Sequence, residues 1–558
     1  MTIRSKDILV GPRWAKVRAL LKSMGHSDYD LERPMIGVAN TYSNMVPGHF
    51  NLKQVAESVK KGIYQAGGTP MEFGVIGCCD GVANAHLGMR YILPSREVIA
   101  NSVEVVAQAH RLDALVLLGS CDKIVPGLLM AAARLDLPAI LVNGGPSLGG
   151  CDFDGRSSDI TSLAEGVGML AAGKIDEAAF TQLENNVMPT CGSCSFLGTA
   201  NSMGCVAEGL GLSLPGSATI PAVHSARLRA AQSAGQRIVA MVGEDLTARK
   251  IINQAGLENA VRLGLAMGGS TNLVLHLLAV AYEAGVDMGV EIFEEFSKTT
   301  PHVAKIYPAA PANVPDFHAA GGVPAVMREI LPLLNSDNPT VSGGSVAQNV
   351  SEAPKTGEEI IRTMANPWST QGGLAVLRGN LAPGSAVTKP AAIDPAMQQF
   401  TGTARCFDSE EEANQAIMDR QIQPGEVVVI RYEGPKGGPG MPEMALAMKM
   451  LYGQGLAQKT ALITDGRFSG TNNGCFVGHI SPEAAEGGPL AAVQDGDRIT
   501  VDIPARRVDL QISDEELASR LASWQRPAPK IKTGYLAMYS RLAASAAEGA
   551  IIPSQYED

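Results

Sequence analysis

Between residues 36 and 145, short apolar runs alternate with helix-length amphipathic stretches. IGVANT (36 to 41) reads as a strand, and FNLKQVAESVKKGIYQAGG (50 to 68) as an amphipathic helix that stops at a glycine pair. FGVIGCC (73 to 79) reads as the next strand, and SREVIANSVEVVAQAHRL (95 to 112) as a helix with Ser95 as its N-cap. ALVLLGS (114 to 120) is a buried strand, PGLLMAAARLDL (126 to 137) a helix and AILVNGG (139 to 145) a further strand. These strands are apolar nearly throughout, as a parallel sheet covered on both faces requires. The expected class is α/β, with an N-terminal domain over residues 1–367 built on a parallel sheet flanked by helices.

From about residue 368 the texture changes. GGLAVLRG, GEVVVIRYEGP, KTALITDGRFSG and DRITVDIPARRVDLQI are short strands broken by Gly, Pro and Asp. They indicate a second, β-rich and barrel-like domain over residues 368–558. The polar, Gly/Ser-rich stretch 335 to 358 reads as a surface excursion or linker. A chain of 558 residues needs more than one core. Its net charge of -11 argues against a nucleic-acid partner. It holds no uninterrupted apolar run of about 18 residues, so no membrane span is expected. The N-terminal residues lack an apolar signal core, which makes the cytoplasm the expected compartment.

In a reducing compartment nine cysteines are not a disulfide frame. Cys151, Cys205, Cys406 and Cys475 read as small buried hydrophobes. The others are placed differently. Cys78, Cys79 and Asp80 follow one strand, and Cys121, Asp122 and Lys123 follow another that is expected to neighbour it. Ligands collect at the carboxyl ends of parallel strands. Cys191 and Cys194 form a C-x-x-C in MPTCGSCSFLGTANSMG (188 to 204), before an apparent helix. Alone, such a pair suits a redox couple, half a zinc site or a cluster ligand. No second pair completes a four-thiolate zinc site. Three isolated thiolates suit a cluster with one iron left open, and an open iron is a Lewis acid. The carboxylates of Asp80 and Asp122 suit a hard ion such as Mg²⁺. Taken singly, each aspartate is as well read as a turn residue or helix cap.

Several long motifs carry a resemblance. CDGVANAHLGMRYILPSREVIANSVE, GSCDKIVPGLLMAA, PTCGSCSFLGTANSM, AMGGSTNLVLHLLA, RYEGPKGGPGMPEM and TDGRFSGTNNGCFVGHISPEA appear in this order. Together they resemble the family of dihydroxy-acid, 6-phosphogluconate and aldonate dehydratases, from about residue 30 to 550. The resemblance implies an iron–sulfur cluster, Mg²⁺ and loss of water from a 2,3-dihydroxy acid. It implies that Cys121 and Cys194 are cluster ligands. Many members carry Pro-Cys-Asn where this chain reads VPGHFNL, so Gly48 cannot serve. In the 6-phosphogluconate branch a cysteine stands directly before Asp-Gly, as Cys79 does, which makes Cys79 the third ligand. If the strand persists, its two-residue period turns Cys78 to the other face.

By the same resemblance Asp80, Asp122 and Glu443 ligate Mg²⁺, and Lys123 matches the family's carbamylated lysine; its bland reading is an ion pair with Asp122. Ser469 of GRFSG matches the catalytic base, for which a turn serine is the bland reading. His49, His86 and His479 are candidates to line the pocket. By analogy the cluster is 2Fe–2S, with 4Fe–4S as the alternative, and the assembly is a homodimer or homotetramer. The expected reaction converts 2,3-dihydroxy-3-methylbutanoate to 3-methyl-2-oxobutanoate, in valine and isoleucine biosynthesis. A sugar-acid dehydratase is the alternative, and a non-enzymatic iron–sulfur protein the remote one.

Overall fold

The computed structural model describes residues 3–354, 359–468, 470 and 474–554. Its N-terminal region is built on a four-stranded sheet. The strands are β1 (Met35–Asn40), β2 (Thr69–Gly74), β3 (Ala114–Gly119) and β4 (Ala139–Asn143), in the order β2-β1-β3-β4. Every pairing is parallel. β1, β3 and β4 are buried along their whole length, as their continuous apolar sequence demands.

Helices cover the sheet. α1 (Leu52–Gln65), α2 (Ile92–Ala109) and α3 (Ile124–Leu135) are the crossovers. α4 (Thr199–Leu210), α5 (Ser225–Glu244) and α6 (Asn272–Ala284) add further helices to this region. α1 crosses α5 at backbone distance because both carry glycine there. A Cβ on Gly62 would lie 2.0 Å from the Gln232 carbonyl oxygen, and one on Gly235 2.1 Å from that of Val59. Among the described residues no helix is long and apolar enough to cross a membrane.

The second region closes into an eight-stranded barrel. Its strands are β5 (Ala375–Gly379), β6 (Ala382–Thr388), β7 (Gln399–Phe407), β8 (Glu426–Ile430), β9 (Ala461–Thr464), β10 (Cys475–Ser481), β11 (Arg498–Asp502) and β12 (Arg507–Leu510). The order around the barrel is β8-β9-β10-β6-β5-β12-β11-β7. β7 to β10 run parallel and the remaining neighbours are mostly antiparallel. Closure removes free strand edges. The α/β class and the barrel are as the sequence led us to expect.

Four details differ from the sequence reading. β2 covers Thr69–Gly74 and not 73 to 79: β1 runs out at Asn40, which pairs with Gly74, so nothing remains for a longer strand to bond to. Cys78 and Cys79 therefore lie on a loop, and strand alternation does not separate them. β2 and β3 are not neighbours, because β1 lies between them. Ser95 is not an N-cap. It sits within α2 and its hydroxyl donates to the Ile92 carbonyl at 2.7 Å. The stretch from 335 to 354 is not a loose excursion, because Val341, Val346 and Val350 are buried and Val346–Ser351 is helical. Residues 355 to 358 lie outside the described residues.

Candidate active site

All four sheet strands end on the same side, and the loops after β2, β3 and β4 bring candidate ligands there. After β2 the chain reaches Cys79, which precedes a single helical turn beginning at Asp80. After β3 come Ser120, Cys121, Asp122 and Lys123, the last being the residue before α3. After β4, Pro146 forms a parallel bridge with Ser193 of the C-x-x-C loop. The Ser193 N–H donates to Gly145 O at 3.0 Å and the Ser147 N–H to Ser193 O at 2.7 Å. Asn201 in the first turn of α4 clamps the same loop by donating to the carbonyls of Cys194 (2.5 Å) and Phe196 (2.7 Å). The barrel supplies the fourth wall, where Glu443 and Arg467 form a bridge of their own.

The carboxylates of Asp80, Asp122 and Glu443 bring one oxygen each within 4.8 Å of one another. Asp122 accepts from the Ala200 N–H at the start of α4 (3.0 Å) and from Lys123 Nζ (3.4 Å). Glu443 accepts from Asn272 Nδ2 (2.9 Å), from Lys123 Nζ (3.4 Å) and from the Arg467 guanidinium. Burial, then the charges of Asp122 and Glu443, push Asp80 well above the usual carboxylate range. Burial alone would raise Glu443 too, but Arg467 and Lys123 hold it below its ordinary value. Three carboxyl groups repelling each other in an enclosed space are the arrangement a hard divalent cation relieves, and oxygen ligands on one ion fall at this spacing.

The thiols divide cleanly. Cys121 is pushed well up by burial and then by Cys79, Asp80 and Asp122. Cys194 is pushed well up by burial and then by Asp80, Asp122, Cys121 and Cys79. Cys79 is pushed up to about 12 by burial and then by Asp80, while the N–H groups of Val82 and Gly81 act on its sulfur in the opposite sense. These three thiols share one volume with the carboxylates. Cys78 is raised by burial alone and packs against Ala83, Met89 and Ile92. Among the described residues the carboxylate trio is the only set of three ligand atoms all within 4.8 Å of one another, so the three sulfurs do not all lie that close. A single zinc ion, with Zn–S bonds of about 2.3 Å, would draw three sulfurs closer than this. Three buried thiols that do not close on a single point, with the N–H groups of Val82 and Gly81 acting on Cys79, fit an iron–sulfur centre.

The sequence-selected histidines play other parts. His49 is fully buried. Its Nδ1–H donates to Thr41 O at 2.8 Å, and its Nε2 accepts the N–H groups of Ser120 (3.1 Å) and Cys121 (3.2 Å). It shapes the Cys121 turn. His86 is on the surface, where its ring accepts from the Gly88 N–H. His479 is buried close to Arg467 and Lys123. Cys205 and Cys475 are buried as expected, whereas Cys151 and Cys406 are only half-buried. Ser469 lies outside the described residues. Its flanks do not: Phe468 O accepts from Thr271 Oγ1 (3.4 Å) and Gly470 O from Lys389 Nζ (2.9 Å).

Sequence reasoning missed Arg467, Asn272 and His276. Each stood inside a quoted motif but carried no signal of its own. The available clue was spacing: Asn272 and His276 are four apart and so share a helix face.

Residues 33–349 match the family profile described as dihydroxy-acid/6-phosphogluconate dehydratase N-terminal, and residues 359–550 the corresponding C-terminal one. The chain is 51% identical to the dihydroxy-acid dehydratase of Caldanaerobacter subterraneus subsp. tengcongensis, over 98% of this chain and 99% of the relative. It is 49% identical to that of Acetivibrio thermocellus, over 99% and 100%, and 51% identical to that of Carboxydothermus hydrogenoformans, over 96% and 97%. The chain therefore belongs to the dihydroxy-acid/6-phosphogluconate dehydratase family and is an enzyme, a hydro-lyase of a family that works with a metal or iron–sulfur cofactor.

Proposed function

We propose that this enzyme dehydrates 2,3-dihydroxy-3-methylbutanoate to 3-methyl-2-oxobutanoate, a step of valine and isoleucine biosynthesis. The observation that carries the reading is the convergence of Asp80, Asp122 and Glu443 within 4.8 Å, beside Cys79, Cys121 and Cys194. Identity near 50% along whole dihydroxy-acid dehydratases supports the branched-chain substrate.

In this reading Cys79, Cys121 and Cys194 hold an iron–sulfur cluster, 2Fe–2S by family analogy, with 4Fe–4S the alternative that an iron and sulfide count separates. Asp80, Asp122, Glu443 and a carbamylated Lys123 hold Mg²⁺. When bound, these groups supply Lewis acidity to the carboxylate and hydroxyls of the substrate. Ser469 takes the C2 proton, and the C3 hydroxyl departs as water. The resulting enol gains a proton at C3 to give the 2-oxo acid. A serine needs cationic surroundings to act as a base. Lys389, buried and bonded to Gly470 O, brings an amine close to that loop. Burial lowers this amine to about 7. Asn272 and Arg467 fix the Glu443 carboxylate from two sides. The division at residue 367, a cytoplasmic location and a homodimer or homotetramer belong to the same reading.

The test is 2-oxo acid formation by protein purified without oxygen, with Mg²⁺ present. The panel is 2,3-dihydroxy-3-methylbutanoate, gluconate, xylonate, arabinonate, 6-phosphogluconate and glycerate. A kcat/KM highest for the branched acid supports the proposal, and preference for an aldonate moves the enzyme to sugar-acid catabolism. Ser469→Ala is expected to abolish turnover while iron and sulfide are retained. Undiminished turnover in that variant removes Ser469 from the mechanism.

A further inference from the structure

Lys123 is poorly housed as an ammonium. Its Nζ stands 3.4 Å from both Asp122 and Glu443. Charge-assisted bonds of this kind run to about 2.7–2.9 Å, and Lys449 reaches Glu165 at 2.7 Å in the same protein. Buried polar atoms without any hydrogen-bond partner among the described residues include His276 Nε2 and both ring nitrogens of His479.

The tautomer of His276 follows from its neighbour. Arg96 Nη1 lies 3.2 Å from His276 Nδ1, and an arginine can only donate. Nδ1 therefore accepts, and the neutral ring carries its proton on Nε2. Among the described residues that Nε2–H is a buried donor with no acceptor. After burial itself, Lys123 is the strongest influence on this ring, which is held well below its ordinary value. Asn272, four residues earlier on α6, already holds Glu443, so the same helix face borders the carboxylates.

His479 lies in a distorted stretch beside the Glu443–Arg467 bridge, where its backbone N–H donates to Gly466 O at 2.8 Å. Its φ is +55°, in the left-handed region, where the register of β10 on β6 shifts between Gly478 and Ser481. Bulges re-aim side chains, and backbone strain of this kind gathers at functional sites. The ring it delivers is 2% exposed and brings at least one further N–H. An ammonium on Lys123 cannot satisfy either histidine N–H, because it too is only a donor.

We propose that His276, its tautomer set by Arg96, and His479 are positioning residues that hold a carbamate on Lys123. The inference rests on the reading of Lys123 as carbamylated. In that step the unprotonated Nζ attacks the carbon of CO₂. An N–C bond forms, one C=O pair moves onto oxygen, and Nζ releases one proton to solvent. Lys–NH₂ and CO₂ thus give Lys–NH–COO⁻ and H⁺. The end of the side chain turns from donor to acceptor, which is what the two histidine N–H groups lack.

The test is the carbamate signal in ¹³C NMR of the whole, anaerobically purified protein, titrated with ¹³C-bicarbonate. Wild type and His276→Gln, which keeps an N–H donor, are expected to show the signal. His276→Leu is expected to need at least tenfold more bicarbonate for half-occupancy, and Lys123→Ala to show none. His479→Leu is read in the same way and keeps the test open if His276→Leu does not fold. Wild-type bicarbonate dependence in the folded leucine variants overturns the histidine wall and leaves the carbamate standing. No signal in wild type, or one that persists in Lys123→Ala, overturns the carbamate reading and the inference with it.

Discussion

Gly48→Ala adds one methyl group at the most crowded point of the thiol site. A Cβ there would lie 2.5 Å from Cys121 Sγ and 3.2 Å from both Cα and N of Ser193. Carbon and sulfur rest at no less than the roughly 3.5–4.0 Å typical of packed heavy atoms, so an overlap of about 1 Å must be relieved. The obstacle is not the flexible tip of a long side chain. Cys121 is 6% exposed and its turn is pinned by His49 from behind. Ser193 is tied to Gly145 and Ser147 through its backbone. Overpacking of this kind costs about 1–3 kcal/mol. Cys121 then swings aside, and one of three proposed thiolate ligands is lost. Urea unfolding of the apoprotein reads the stability loss; iron, sulfide and visible absorbance of the anaerobically purified protein read the cluster. The variant is expected to be less stable and to lose most of its iron and sulfide. Full cluster content with an unchanged unfolding midpoint would refute the placement of Cys121 beside Gly48, and with it the packing argument.

Cys79→Ser is expected to lose iron and sulfide while Cys78→Ser retains them, since only Cys79 shares its surroundings with Cys121 and Cys194; retention in both, measured by metal analysis, would exclude Cys79 as a required ligand. Tyr307→Phe removes a hydroxyl that accepts from Arg156 (2.8 Å) and Lys449 (3.0 Å) and donates to Glu165 (2.8 Å). It should cost about 1–3 kcal/mol in urea unfolding, because buried charged groups lose a partner; a change near zero would show the network to be redundant. His49 is held neutral, its value lowered to about 4 by burial. The unfolded chain, near the ordinary 6.5, therefore binds a proton first as pH falls. The contribution is complete above pH 6.5 and is lost between there and pH 4, a swing of about 3 kcal/mol. Apoprotein unfolding should fall more steeply over this window in wild type than in His49→Gln, and parallel profiles would contradict the assignment.

The parts of the site legible in the sequence were local ones. Cys79–Asp80 and Cys121–Asp122–Lys123 each lie next to a strand whose apolar run ends nearby, so their position at the carboxyl edge followed from chain direction alone. Glu443 is 320 residues from Lys123 and entered only through family resemblance. The limits of β2 were misplaced because length is set by its partner β1, a tertiary fact that propensity does not contain. Ser95 looked like a cap because a serine hydroxyl satisfies a carbonyl one turn back as readily as an N–H ahead of it. The pocket face of His276 depends on Arg96 from another helix, and that of His479 on a register shift in the barrel. Neither leaves a trace in residue spacing.

The central claim is that three thiols and three carboxylates from distant segments form one two-metal site. It is tested most directly by diffraction from crystals of anaerobically prepared protein grown in Mg²⁺, with anomalous data collected at the iron edge. We expect iron bonded to Cys79, Cys121 and Cys194, with Cys78 and Cys191 free, and a separate oxygen-ligated ion between Asp80, Asp122 and Glu443. Iron on Cys78 or Cys191, or no ion between the three carboxylates, would contradict it.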